Sequence, residues 1–262
     1  MKKFYGCIII LMALLSILIP YFNYEEITAI HLNLTNLPPS SAHFFGTDDL
    51  GRDLFVRVWF GVRISLFVGL AAAMLDLVIG ILWGGAAALA GGAIDHLLMG
   101  IADIFNSIPS VMVAILLTLF FGTSIFSIIF CIALVGWIPM ARVVRGQILQ
   151  LKQQEFVLAA KLYGASFWRI LLLHLIPNAL PAILITLTLT IPSAIFTEAF
   201  LSFMGLGIQM PLASLGSLTS ESIGAMAYYP WRLFIPGGIL TLLLLGLNEV
   251  LPENSLSQEA SF

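Results

Sequence analysis

The stretch EFVLAAKLYGASFWRILLLHLIPNALP, from Glu155 to Pro181, mixes charged and apolar residues between two very apolar regions. Five of the 11 lysines and arginines of the chain lie in it or just before it. These five are Arg142, Arg145, Lys152, Lys161 and Arg169. Because basic residues are retained on the cytoplasmic side of membrane proteins, the sequence predicts that this connection is cytoplasmic.

The local pattern of this connection predicts two short helices separated by a break. Good helix formers occupy 155–163, and Gly164 suits the positive φ at a helix C-terminus. Ser166 is placed to cap a second helix, and Pro177 predicts a kink or a restart. Such an element could bind in the groove of a soluble partner or lie on lipid headgroups as an amphipathic hairpin, and the pattern leaves both open.

Composition indicates a membrane protein with several spans. Of the 262 residues, 60% are hydrophobic and 10% are charged, and the mean hydropathy is +1.05. These values are typical of polytopic membrane proteins. The net charge of −3, with scattered basic residues, argues against a nucleic-acid partner. The two cysteines, Cys7 and Cys131, lie in apolar segments, which favours small hydrophobic roles over a disulfide.

The apolar segments predict an all-α protein of about six transmembrane helices, with both termini in the cytoplasm. Lys2 and Lys3 hold the N-terminus inside, and no small-x-small cleavage site follows the first apolar run. We expect a turn at 122–124 between the third and fourth spans, and a short cytoplasmic connection at 91–103. The expected segments are a first helix at 1–20, an extracytoplasmic segment at 21–61, a transmembrane domain of about five helices at 62–250 containing the basic connection at 142–176, and a cytoplasmic tail at 251–262.

The sequence offers no catalytic or metal site. None of its lysines follows a Gly-rich loop of the Walker type, its four histidines are scattered, and no G-x-S-x-G motif occurs. We therefore expect that the chain is not an enzyme and that it holds neither a cofactor nor a metal ion of its own.

Three carboxylates need an explanation. Asp53 is expected in a local turn network with Arg52, where the acidic residues pair with nearby arginines. Asp76 lies inside a predicted span, where a carboxylate is either functional or a packing residue satisfied by a neighbouring Ser or Thr, and the sequence leaves both open. Glu198, near the outer end of another span, is the candidate for lining or gating a pathway, because a carboxylate at this depth needs water or a partner.

The pattern E-F-V-x-A-A-x3-G-A-S-x2-R-I-x3-H-x-I-P-N, which begins at Glu155, resembles the cytoplasmic coupling loop, or EAA motif, of ATP-binding-cassette importer permeases. The version with His174 and Pro177-Asn178 is most similar to the second permease of the dipeptide/oligopeptide/nickel importer family. In that family the loop docks in a cleft of the ATPase subunit. The resemblance assigns ATPase coupling to Glu155, Ala159, Ala160, Gly164, Ala165, Ser166 and Arg169.

Two further strings resemble the same family. They are G-T-D-x-L-G-R-D-x3-R-x3-G-x-R-x-S-L from Gly46 and E-x-x-L-S-F-x-G-L-G from Glu198. The chain departs from the family at Gly100, where an arginine is usual, so that Asp103 lacks its expected neighbour. The tail from Asn248 also departs from the usual acidic ending.

The resemblance implies a type I importer permease in a bacterial plasma (inner) membrane that moves di- or oligopeptides. The implied partners are a second homologous permease, one or two ATP-binding subunits, an extracytoplasmic solute-binding protein and the lipid membrane. Uptake of nickel or of a metal–metallophore complex is the alternative within the family. Outside it, the alternatives are an ATP-independent secondary transporter, which would usually show a repeat or paired intramembrane charges, and a scaffold or sensor subunit.

Overall fold

The computed structural model describes residues 2–250, and the regular structure in this range is helical. The five long helices are α1 (Lys2–Phe22), α2 (Leu54–Ala90), α5 (Ile125–Leu151), α8 (Ile176–Phe203) and α10 (Trp231–Val250). The shorter helices are α3 (Gly92–Ser107), α4 (Ser110–Phe121), α6 (Glu155–Leu162), α7 (Phe167–Arg169) and α9 (Leu215–Ser222). The expected tail at 251–262 lies outside the described residues.

The described helices confirm the prediction of an all-α membrane fold. Five of them are long and apolar enough to cross a membrane, and the number rises to six if α3 and α4 together form one bent span. One of the five runs from Phe167 to Phe203, because α7 continues through a π-helical turn (Ile170–Leu175) into α8. The predicted restart at Pro177 therefore takes the form of a change in hydrogen bonding within a continuous helix.

The prediction of a short connection at 91–103 is wrong, because helix α3 occupies most of this range. Gly91, with φ of +65°, ends α2 by donating its N–H to the carbonyl of Ala87. Helix α3 starts at the next residue, so Asp95 and Asp103 lie on a helix and not in a loop. Two consecutive glycines with positive φ separate the two helices, because glycine adopts this conformation without a Cβ penalty.

The third predicted span is broken. Helices α3 and α4 meet at Ile108 and Pro109 with a bend of 85°. Ile108 is extended, as expected for a residue before proline, and this conformation ends α3. The turn at 122–124 is present: Gly122 has φ of +78°, and Ser124 caps α5 by accepting a hydrogen bond from the N–H of Ser127.

Helix α2 lies at the centre of the fold and packs along α5 and α8. The close approach to α5 depends on Gly80 and Gly84, since a Cβ at these positions would overlap Met140 and Ala141. Small residues allow helix backbones to approach closely in a membrane, where apolar burial alone does not drive association. The Nζ of Lys152 donates to the carbonyl oxygen of Ala88 at 3.0 Å, which joins the end of α5 to the end of α2.

A buried ion-pair network joins the outer segment (21–53) to the start of α2. The carboxylate of Asp48 accepts hydrogen bonds from Arg52 at 2.6 Å and from Arg57 at 2.5 Å, and Arg57 also contacts Glu221 at 3.2 Å. Burial alone would raise the pKa of Asp48, but the charges of Arg57 and Arg52 hold that pKa below its usual value. This network accounts for two of the arginines that the positive-inside rule disfavours here.

The sequence predicted a turn network between Asp53 and Arg52, but Asp53 has different partners in the structure. Asp53 caps α2 by accepting from the N–H of Val56, and its second oxygen lies 2.8 Å from Nδ1 of His43. Arg52 pairs instead with Asp48, four residues earlier. The acidic residues of the segment therefore fix the entry of the chain into α2.

Candidate functional site

The first candidate site is the coupling segment, which we define as Glu155–Arg169. Helix α6 ends in a turn where the N–H of Gly164 donates to Lys161 and the N–H of Ala165 donates to Ala160, each at 3.0 Å. Gly164 has φ of +74°, as its sequence position predicts. Ser166 occupies the N-cap position of α7, but its hydroxyl accepts no hydrogen bond from that helix, and its carbonyl accepts the N–H of Ile170 instead.

One side of the coupling segment is fixed to the membrane helices. Val157 is fully buried and packs with Ile148, Ile170 and Leu171 in one apolar cluster. Burying a side chain of this kind contributes about 1.5–3 kcal/mol. Because the cluster includes residues of α5 and of the π-helical turn, α6 is attached to both helices that flank it.

The other side of the segment is open. The side chains of Leu162 and Tyr163 are 89% and 91% exposed, and Trp168 is 52% exposed. A group of large apolar side chains exposed together marks a surface for another protein or for lipid. The coupling residues assigned from the sequence are all at least partly accessible. Those residues are Glu155, Ala159, Ala160, Gly164, Ala165, Ser166 and Arg169.

The basic residues before the coupling segment hold α5 against α3. Arg145 forms two hydrogen bonds to Asp95, at 2.6 and 2.7 Å, and Arg142 donates to Asp103 at 2.7 Å. Position 100 is glycine in this chain, and the cation that pairs with Asp103 is Arg142 of α5. The Arg142 pair is exposed, so we assign it about 0–1 kcal/mol.

The second candidate site is a cavity of about 550 Å³ between α2, α5, α8 and the junction of α3 with α4. One wall is a polar stripe on α8. Thr186, Thr190, Ser193 and Thr197 form this stripe, which has helical spacing. The lining also includes Asp76 of α2 and Gly136 of α5, and Asn106 and Ser110 flank the bend between α3 and α4. A volume of this size is typical of a small-molecule site.

Asp76 lies in the wall of this cavity with 1% of its surface exposed. Its Oδ1 has no hydrogen-bond partner among the described residues, so the neighbouring Ser or Thr required by the packing alternative is not found there. Gly136 makes room for the carboxyl group, because a Cβ on Gly136 would overlap it. The sequence signals available for this site were an acid within a span and hydroxyl residues at helical spacing on α8.

Glu198 lies elsewhere. It is fully buried between α2 and α8, where the hydroxyl of Ser65 donates to one carboxylate oxygen at 2.8 Å and that of Ser202 to the other at 2.7 Å. It is not among the residues that line the cavity. Its role in lining or gating a pathway stays a prediction. Within residues 2–250, no group of three His, Cys, Asp or Glu side chains has the arrangement of a metal site.

A bundle of helices long enough to span a membrane, with a partly exposed segment at one end and a cavity between its helices, is typical of a transport permease. Residues 77–249 match the family described as binding-protein-dependent transport system inner membrane component. The chain belongs to this family of ATP-binding-cassette permeases. It is thus a multi-pass inner-membrane component that works with a solute-binding protein and an ATPase, and it is not itself the ATPase.

Several curated relatives are similar over most of the chain. The oligopeptide transport system permease protein OppC of Bacillus subtilis is 50% identical over 93% of this chain and 80% of its own length. OppC of Escherichia coli K12 is 42% identical over 93% of this chain and 81% of its own. The dipeptide transport system permease protein DppC of B. subtilis is 43% identical over 92% and 76%, respectively.

A solved structure supports the fold. The chain resembles an inward-facing MetNI methionine ABC transporter chain with a TM-score of 0.59, covering 72% of this chain and 89% of that one. Sequence identity to it is 19%, so this likeness concerns the fold alone. It confirms the prediction of an importer-type permease fold.

Proposed function

We propose that this chain is a permease of an importer for oligopeptides or dipeptides. The observation that carries the proposal is its similarity, along nearly the whole chain, to permeases of oligopeptide and dipeptide transport systems. The cavity between α2, α5 and α8 has a largely apolar lining with a few polar groups. It is compatible with a small peptide, whose backbone amides and termini need hydrogen-bonding partners.

In the proposed mechanism, the coupling segment transmits ATP-driven closure of the ATPase subunits to the cavity. Its exposed apolar side chains enter a groove of the ATPase, as amphipathic helices do in other complexes. Because α7 continues into α8, a displacement of the segment moves the helix that carries the polar stripe. The buried cluster around Val157 transmits the same displacement to α5. Access to the cavity then alternates between the two sides of the membrane.

The proposed assembly contains a second, homologous permease and one or two ATP-binding subunits. Both termini of this chain face the cytoplasm, on the same side as the coupling segment. Glu198 contributes to gating in this proposal by releasing Ser65 or Ser202 when α2 and α8 move relative to each other.

Peptide uptake in a strain that lacks its own peptide permeases tests this function. The strain would carry this chain with its partner subunits, and radiolabelled trialanine would be the substrate. We expect ATP-dependent uptake, and co-purification of a Walker-motif ATPase and a second permease in mild detergent. Uptake of nickel without uptake of any peptide would contradict the proposed substrate, and solute movement by the chain alone without ATP would contradict the mechanism.

Variants of the coupling segment separate coupling from folding. Glu155→Lys and Gly164→Pro should abolish uptake while leaving membrane insertion intact, because proline cannot adopt the positive φ at Gly164. Gly164→Asn is the matched control, since asparagine tolerates this conformation and nothing lies within 4 Å of a Cβ there. For the charge reversal, the control is Glu26→Lys in the outer segment. Normal uptake by both test variants would rule out the coupling role.

A further inference from the structure

We propose that Asp76 makes the cavity a binding site for a cation. The cationic group of the cargo that binds there is a primary ammonium, as at the N-terminus of a peptide. The identity of the cargo rests on the proposed function, whereas the preference of the site for cations does not. The proposal depends on three features of the cavity, which concern the carboxyl group, the charge of the lining and the hydroxyl stripe.

The first feature is the position of the carboxyl group. Asp76 lies 14 residues before the end of α2 at Ala90, which places it about 20 Å from that end of the helix. It is therefore well inside the membrane, where an ionisable side chain is costly and indicates a pathway or a ligand. Oδ1 has no partner within the described part of the chain. By contrast, two serine hydroxyls donate to Glu198, so burial alone does not explain why Asp76 lacks donors.

The second feature is the charge of the lining. Among the described residues that line the cavity, Asp76 is the acidic one and none is Lys, Arg or His. A carboxylate in such surroundings attracts cations strongly, because low-dielectric walls screen its charge poorly. The backbone of Gly136 packs directly against the carboxyl group and leaves it space beside the cavity.

The third feature is the hydroxyl stripe on α8. Thr186, Thr190 and Thr197 each donate their hydroxyl hydrogen to the carbonyl four residues earlier, at 2.9 Å. These hydroxyls therefore present lone pairs to the cavity. An ammonium group has three donors and no acceptor. Three hydroxyl acceptors and one carboxylate in the same lining therefore match this group better than they match an anion.

The test measures the charge of the cavity directly. In the assembled importer, Cys7→Ser and Cys131→Ser remove both native thiols, and Ser193→Cys places one thiol in the cavity wall. Its reaction rates with a cationic trimethylammonium-ethyl and an anionic sulfonato-ethyl methanethiosulfonate give a ratio. We expect Asp76→Asn to lower the cationic-to-anionic ratio at least about fivefold, because the variant removes one charge within the same cavity.

Two further variants strengthen this measurement. Gly136→Ala should lower the ratio in the same direction, because its methyl group displaces the carboxyl group of Asp76. Glu26→Gln removes a carboxylate from the outer segment, away from the cavity, and should leave the ratio unchanged. Co-purification of the ATPase with each variant shows that the importer is still assembled.

The ligand is tested by protection of the same thiol. Trialanine should slow the cationic reaction, N-acetyl-trialanine should not, and protection by trialanine should disappear in Asp76→Asn. A rate ratio that Asp76→Asn leaves unchanged would overturn the proposal, and this is the result expected if a basic side chain of the second permease neutralises Asp76. A thiol unreactive to both reagents with and without ATP would also overturn it. Absence of peptide uptake by the assembled importer, together with the expected fall of the ratio in Asp76→Asn, would contradict the proposed function alone.

Discussion

Arg57 is 1% exposed, and its guanidinium group contacts the carboxylates of Asp48 and Glu221. Removing one partner of a buried ion pair leaves the other charge without compensation, which typically costs about 3–5 kcal/mol. We expect Arg57→Ala to lower the free energy of unfolding by at most this amount, because the carboxylate of Asp48 stays buried and keeps Arg52 as its remaining cation. Thermal unfolding in detergent, followed by circular dichroism, measures the effect.

Arg63 provides a matched control for that substitution. It lies on the same helix, six residues further on, but it is exposed and forms no ion pair with a carboxylate among the described residues. Arg63→Ala should change the free energy of unfolding by less than about 0.5 kcal/mol, as is usual for surface positions. Equal destabilisation by the two variants would show that the network around Asp48 contributes nothing specific.

For single residues, the sequence showed which side chains are unusual, but it did not predict which groups surround them. The pattern indicated that Asp76 and Glu198 were unusual acids within spans, but it could not tell which one had hydroxyl donors. Ser65 lies 133 positions from Glu198 in the chain, and Gly136 lies 60 positions from Asp76. Contacts between such distant residues depend on how the helices pack, which no local pattern specifies.

Among the secondary-structure elements, the close packing of α2 against α5 depends on glycines. A Cβ on Gly84 would overlap the backbone of Ala141, which is not free to move aside, whereas a Cβ on Gly146 meets nothing within 4 Å. We expect Gly84→Ala to separate the helices and lower the unfolding temperature. Gly146→Ala should leave this temperature unchanged or raise it, since alanine in a helix is more stable than glycine by about 0.5–1 kcal/mol. Similar unfolding temperatures for both variants would contradict close packing at Gly84.

Helix ends were more predictable than helix interiors. The end of α6 follows from Gly164, because the left-handed conformation required there is a local property of glycine. The bend between α3 and α4 was missed, although Pro109 is visible in the sequence. A proline shows that a helix can end, but it does not specify the angle of 85° at which the next helix continues.

For the molecule as a whole, the contacts between helix ends and the lengths of the helices indicate how many times the chain crosses the membrane. The hydrogen bond from Lys152 to Ala88 places the ends of α2 and α5 on one side, together with the coupling segment. Helix α5 has 27 residues and is therefore roughly 40 Å long, so its start at Ile125 lies on the opposite side. We therefore expect the bent pair of α3 and α4 to carry the chain across, which would give six crossings and place both described ends on the coupling side.

This topology predicts on which side of the membrane the turn before α5 lies. In a chain with Cys7→Ser and Cys131→Ser, Thr123→Cys should react with a membrane-impermeant maleimide added to intact cells, because six crossings place the turn outside. Gln153→Cys, beside the coupling segment, is the control and should react only after the cells are opened. If α3 and α4 instead formed a re-entrant loop, α5 would still separate Thr123 from Gln153, but the turn between α2 and α3 would lie outside. The exposed His96, which six crossings place inside, would then react as His96→Cys in intact cells. The two ends of the described chain would then face opposite sides, and the proposed cytoplasmic position of both termini would be wrong.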